Sequence, residues 1–212
     1  MALIFANKSA LKASVISWLA DGSIADETID RAIALVEADL RRRLRLFQQE
    51  VSTELPLTKE TITVPSRYLA ARVMAIPGRR PMEYLTPEGL LNHQVDNPGT
   101  GEPTAFTLEG REDQLPIFRF SRAPNASYTV RLLYIADPAL QSDEDTNAIL
   151  EDAPDCYHYG VLTHLGGFVR NKERLPEWGK AYDSIVESLI DADLRDKVDG
   201  SALRPRSVYR GV

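Results

Sequence analysis

Asp26-Glu27-Thr28-Ile29-Asp30-Arg31-Ala32-Ile33-Ala34-Leu35-Val36-Glu37-Ala38-Asp39-Leu40-Arg41-Arg42-Arg43-Leu44-Arg45-Leu46-Phe47 is the stretch on which the fold turns. In it Ile29, Ile33, Val36, Leu40, Leu44 and Phe47 recur at steps of four, three, four, four and three, which is one continuous apolar stripe on a helix. Asp26 or Ser23 is the candidate cap. A helix over 26–50 would be about 37 Å long at 1.5 Å per residue, enough to span a domain. Just upstream, Leu11, Val15, Trp18 and Leu19 keep a helical step behind Ser9, a candidate N-cap, and Asp21-Gly22-Ser23 breaks the pattern.

Downstream the helical period disappears. Residues 53–140 hold ten of the 13 prolines, with short alternating runs between them. Glu60-Thr61-Ile62-Thr63-Val64, Ala105-Phe106-Thr107-Leu108, Ile117-Phe118-Arg119-Phe120 and Ser127-Tyr128-Thr129-Val130-Arg131-Leu132-Leu133-Tyr134 read as strands. Glu109-Gly110-Arg111-Glu112-Asp113 reads as a hairpin loop. From about residue 142 the helical period returns. One helix is expected over 155–169, and another in which Trp178, Tyr182, Ile185 and Leu189 repeat, with Pro176 in its first turn and Gly200 at its end.

The expected fold is therefore α+β: a mainly helical bundle built from both chain ends, with a small antiparallel β-sandwich or barrel inserted. The expected divisions are 1–52 with 142–199 for the helical domain, 53–141 for the β-module, and 200–212 for an extended C-terminal tail. No internal repeat or low-complexity tract interrupts this layout.

Composition narrows the function. The chain has 212 residues, 25 basic and 31 acidic, for a net charge of −6, which argues against a protein that coats nucleic acid over most of its surface. Cys156 is the one cysteine, so an intrachain disulfide is impossible and a reducing compartment is expected. No window of the sequence reads as a membrane span, and residues 1–13 lack the apolar core of a secretory signal.

Chemistry-bearing patterns are weak. His158 and His164 are six residues apart, off the spacing of a metal pair on one helix face, and His93 stands alone. Asp143-Glu144-Asp145 with Glu151, Asp152 and Asp155 invites a calcium reading, but a loop opening at Asp143 would need Gly and Glu where Ala148 and Pro154 stand. Helix-start acids complementing the macrodipole are the better account. Gly99-Thr100-Gly101 lacks the Gly-Lys-Ser/Thr ending of a phosphate loop, and no Gly-x-Ser-x-Gly elbow is present. No catalytic residue, cofactor or metal is expected.

Two basic features stand out. Arg41, Arg42, Arg43 and Arg45 crowd the end of the long helix, where they suit the negative end of its dipole, a subunit interface or a nucleic-acid contact. Residues 195–212 carry five basic side chains against two acidic ones, a +3 segment on a body of −9. This segment also contains Leu203, Val208 and Tyr209, so it reads either as a frayed terminus or as an arm that orders when it docks on a partner.

Several stretches together resemble the head-to-tail adaptor (connector) proteins of tailed bacteriophages, of the podovirus tail tubular protein A kind. Val36 to Arg45 resembles their acidic-then-arginine second helix. Thr63-Val64-Pro65-Ser66-Arg67-Tyr68-Leu69 resembles the strand and turn that open their β insert, and Gly101-Glu102-Pro103-Thr104-Ala105-Phe106-Thr107-Leu108-Glu109-Gly110 their central strand. Asn147-Ala148-Ile149-Leu150-Glu151-Asp152-Ala153-Pro154-Asp155 with Tyr157-His158-Tyr159-Gly160 is the most specific match, continued by Lys172-Glu173-Arg174-Leu175 and Trp178. The likeness covers roughly residues 10–200; Cys156 stands where the family often has leucine, and the tail is variable.

The resemblance implies a structural protein without catalysis. It would form a homo-oligomeric ring, commonly of twelve copies, beneath the portal protein. The ring would extend the channel through which genomic DNA passes without sequence-specific binding and carry the tail tube or nozzle protein. It implies no membrane partner, assembly in the host bacterial cytoplasm and a place in the virion neck. Arg41, Arg42, Arg43 and Arg45 would then lie at a subunit interface, and Leu203, Arg204, Arg206, Val208, Tyr209 and Arg210 would dock on the portal. Two other classes stay open: a DNA-contacting accessory protein using the arginine-rich helix end, and an enzyme on a helical frame.

Overall fold

The computed structural model describes residues 4–19, 24–112, 115–167 and 172–199. Over these the chain is α+β, with six helices and seven strands in two sheets. It divides into two compact units, one of residues 1–49 and 138–212 and one of residues 50–137.

The first unit is helical: α1 (Lys8–Leu19), α2 (Asp26–Arg43), α4 (Ala148–Asp152), α5 (Pro154–His164) and α6 (Leu175–Asp199), with α3 (Pro87–Asp96) belonging to the other unit. The α2 stripe works as its spacing predicts. Ile29, Ile33, Val36, Leu40 and Leu44 are all buried, in one core with Leu11 and Val15 of α1, Tyr157 and Val161 of α5, and Trp178 and Val186 of α6. The three helices α2, α5 and α6 approach closely at Gly160 of α5, where an added Cβ would stand 2.9 Å from the Tyr182 ring and 3.0 Å from Val36.

The long helix expected over 26–50 stops at Arg43. Leu44 turns extended, at φ −107° and ψ 138°, while its N–H still bonds Leu40 O. Gln49 Oε1 then accepts from Leu46 N, a short 3-10 turn forms at Phe47–Gln49, and Phe47 N donates to Asp193 Oδ1 at 2.7 Å. Leu44 is buried but Phe47 is 55% exposed, so the stripe ends one step before the periodicity does. The helix is thus 18 residues, about 27 Å.

The caps also differ from expectation. Asn7, not Ser9, caps α1 by accepting from Ala10 N at 2.9 Å, and Ala25 occupies the N-cap of α2 without a side-chain bond. The helix expected over 155–169 ends at His164 and passes into a 3-10 turn at Leu165–Gly167.

The second unit holds β1 (Glu50–Leu57), β2 (Thr61–Thr63), β3 (Tyr68–Ala75), β4 (Glu83–Tyr84), α3 (Pro87–Asp96), β5 (Ala105–Glu112), β6 (Leu115–Phe120) and β7 (Tyr128–Ala136). One sheet runs β1-β7-β3, all antiparallel; the other runs β2-β6-β5-β4, with β4 parallel to β5. Leu57, Met74, Val130 and Leu132 from the first share a core with Phe106, Phe118 and Phe120 from the second.

The expected antiparallel pairing is there, but β5 continues through Glu112 opposite Leu115, so Glu109 to Glu112 is strand rather than loop; residues 113–114 lie outside the described residues. The strands β1 and β3 and the helix α3 were not expected. Thr86 caps α3 through Gly89 N, Pro87 fills its first turn, and Gln94 Nε2 pins it to Glu60 Oε1 at 3.0 Å.

Candidate functional site

The four arginines of α2 and its exit have separate fates. Arg43 is drawn inward: its guanidinium bonds Asp183 of α6 at 2.8 Å and Asp39 at 3.3 Å, and lies 5.7 Å from the centre of the Tyr182 ring. Tyr182 Oη donates to Asp39 Oδ2 at 2.9 Å, so α2 and α6 are joined by a closed network of two acids, a cation and a phenol. Arg45 turns back on the helix end and bonds the carbonyls of Arg41 and Leu44, satisfying acceptors that every helix C-terminus leaves open. Arg41 and Arg42 stay exposed on the outer face, Arg42 bonding Asp39 at 3.2 Å with its side chain 69% exposed.

Burial opposes ionisation of Asp39, but hydrogen bonds from Tyr182, Arg43 and Arg42 outweigh it and hold the carboxyl below its usual range. Burial, reinforced by the Asp39 hydrogen bond, pushes the Tyr182 phenol well above its usual value. The network is therefore charged and fixed, a strut rather than a proton relay. Sequence reasoning grouped Arg43 with its neighbours; its partner Asp183 is distant in sequence, and no local signal marks the pair.

A second network went unread. Lys12 is buried and bridges Asp30 and Asp143, both at 2.8 Å, while Lys8 reaches Asp30 at 3.0 Å. Burial disfavours its charge, but the hydrogen bonds to Asp143 and Asp30 prevail and raise its pKa. This accounts for the acidic run once tested for calcium. Asp143 serves Lys12, and Asp145 accepts from Gln141 N, Ser142 N and Ser142 Oγ. Gly99-Thr100-Gly101 is likewise structural: Gly99 takes φ +91°, and Gly101 N donates to Ala123 O.

Among the described residues no group of three His, Cys, Asp or Glu could hold a metal ion. His158 is buried amid Phe5, Trp18 and Tyr159, with the Trp18 ring 4.9 Å away and edge-on. Neither of its ring nitrogens has a hydrogen-bond partner among the described residues, and burial lowers its pKa. Cys156 is buried, and burial pushes its thiol up to about 12, which favours the protonated form near neutral pH. The β unit has an apolar cleft of about 460 Å³ lined by Tyr68, Met74, Met82, Tyr84 and Phe106. It also has a polar one in which Arg119 is already paired to Glu109 at 2.7 Å and Glu60 at 3.3 Å. The tail residues Leu203, Arg204, Arg206, Val208, Tyr209 and Arg210 lie outside the described residues.

In the helical unit these polar groups form ion pairs and turns, beside helix faces that stay exposed. No helix among the described residues is long and apolar enough to cross a membrane. The chain belongs to the SU10 adaptor protein family, whose model matches residues 6–206, and so to the bacteriophage head-to-tail adaptors. No curated protein matches the sequence.

Proposed function

We propose that the protein is a structural head-to-tail adaptor that forms a ring beneath the portal vertex, extends the DNA channel and carries the tail tube or nozzle protein. The observation that carries this reading is a family match that runs through both units and into the tail. In this reading the helical unit, a bundle, builds the ring of about twelve copies that the resemblance implies. The β unit is a sandwich-like module, the protein does no catalysis, and it resides in the virion neck after assembly in the host cytoplasm. The −9 body supports DNA passage, because an acidic wall repels phosphate and makes no contacts that would retard sliding.

Residues 200–212 dock on the portal through Leu203, Arg204, Arg206, Val208, Tyr209 and Arg210. Deleting 200–212 and measuring co-sedimentation with purified portal tests this: loss of binding is expected, and unchanged binding overturns the docking. A DNA-contacting role for the arginine cluster has weaker support, because Arg43 and Arg45 are engaged within the chain. That role would require salt-dependent duplex binding by the isolated protein.

A further inference from the structure

Two exposed stripes of the helical unit are unlike each other and complementary. On α2, Arg31, Leu35 and Arg42 fall within about 40° of one another at 100° per residue. Leu35 is 54% exposed, and the two arginines are held only by surface pairs within their own helix, Arg31 with Glu27 at 3.8 Å and Arg42 with Asp39 at 3.2 Å. The face is flattened by Ala34 and Ala38, which lets another helix approach closely. On α6, Glu187, Asp191 and Leu194 fall within about 60° of one another. All three are exposed, Leu194 at 55%; Arg195 lies to one side of the stripe, and Lys180 lies in line with it about two turns nearer the start of the helix. One stripe thus presents two exposed guanidinium groups around an exposed leucine, and the other two exposed carboxylates beside one.

We propose that these two stripes pair between copies: the Arg31–Leu35–Arg42 face of one copy packs on the Glu187–Asp191–Leu194 face of the next. Both helices turn their buried stripes toward α5, where Val36 and Tyr182 meet at Gly160. The outer stripes therefore face away from the shared core, and one copy cannot close them on each other. Complementary, non-identical faces on one chain give a heterologous, head-to-tail interface, which repeats until it closes into a ring. The leucines supply the buried apolar contact, and the charges set register and reject pairing of two like faces. The proposal rests on the ring-forming reading above and specifies which surfaces build the ring.

Reciprocal charge reversal tests it. One full-length variant carries Arg31→Glu and Arg42→Glu, so that both of its stripes are acidic; another carries Glu187→Lys and Asp191→Lys, so that both are basic. Each is incubated with purified portal, and assembly is followed by sedimentation velocity, with circular dichroism confirming the fold. Each variant alone is expected to need a roughly tenfold or higher concentration to assemble. An equimolar mixture, in which acidic faces can alternate with basic ones, should assemble at the wild-type concentration. Variants that assemble alone as the wild type does, or a mixture that fails to recover, overturn the pairing and leave the adaptor reading standing. A wild-type protein that forms no oligomer on the portal overturns both.

Discussion

Two helical glycines should respond to the same substitution with opposite signs. In each, alanine lowers the backbone cost of helix formation and adds about 0.5–1 kcal/mol. At Gly179 of α6 the new methyl would meet only Thr163 Cγ2, at 3.9 Å, an ordinary contact. Gly179→Ala should therefore stabilise by about that amount. At Gly160 the methyl would stand 2.9 Å and 3.1 Å from two carbons of the Tyr182 ring and 3.0 Å from Val36 Cγ2. Tyr182 cannot retreat freely, because its hydroxyl is held by Asp39 at 2.9 Å and its ring lies beside the Arg43 guanidinium. Overpacking costs about 1–3 kcal/mol, and a weakened hydrogen bond to a carboxylate adds to it. Set against the propensity gain, Gly160→Ala should lose about 1–2 kcal/mol. At about 2–4 °C per kcal/mol, the melting point should rise by about 1–4 °C for Gly179→Ala and fall by about 2–8 °C for Gly160→Ala. Both tryptophans, Trp18 and Trp178, lie in the helical unit, so intrinsic fluorescence follows its unfolding separately from the β unit. A Gly160→Ala variant that melts above the wild type would refute the close-packed junction of α2, α5 and α6.

Tyr182→Phe should destabilise the helical unit by about 0.5–1.5 kcal/mol, since it strips one donor from Asp39 while leaving the ring in place; urea unfolding followed by tryptophan fluorescence measures it. Lys12→Met should cost about 1–3 kcal/mol despite its apolar side chain, because Asp30 and Asp143 lose the buried ammonium between them. A neutral result in thermal unfolding would mean the bridge contributes nothing. His158 is held neutral by burial, so its folded pKa is below the unfolded value of 6.5. As pH falls through 6.5 the unfolded chain takes up a proton that the folded chain refuses, and stability drops by up to about 1.4 kcal/mol per pH unit for one such group. His164 shifts in the same direction, so His158→Phe should reduce the slope of stability between pH 7 and pH 5 without abolishing it. An unchanged slope contradicts the assignment.

What the sequence made legible was periodic. The α2 stripe, the α6 repeat and strands β2, β5, β6 and β7 follow from spacing alone, because one buried face per element imposes period 3.6 or 2. What it hid was contextual. β1 carries Pro56, has half of its residues exposed and only Leu57 buried, and pairs only with β7 within its sheet, so neither composition nor alternation marks it. β3 is bulged between Tyr68 and Ala70 and again between Ala71 and Val73, which breaks the period-2 pattern. Helix α3 buries only Leu90 and leaves Leu91 and Val95 exposed, so its stripe is faint in the sequence. The end of α2 was misjudged because Phe47 continues the spacing although Leu44 has already turned extended. In the arginine cluster, charge was legible and role was not: whether an arginine points outward or binds Asp183 depends on a helix about 140 residues downstream.

The central claim is that copies of this chain assemble beneath a portal. Its most direct measurement is the mass of the protein, alone and with purified portal, by analytical ultracentrifugation, with electron microscopy of the resulting particles. The account predicts a stoichiometric complex in which a ring of about twelve adaptor copies caps the portal. A chain that remains monomeric and unbound at every concentration tested would contradict it.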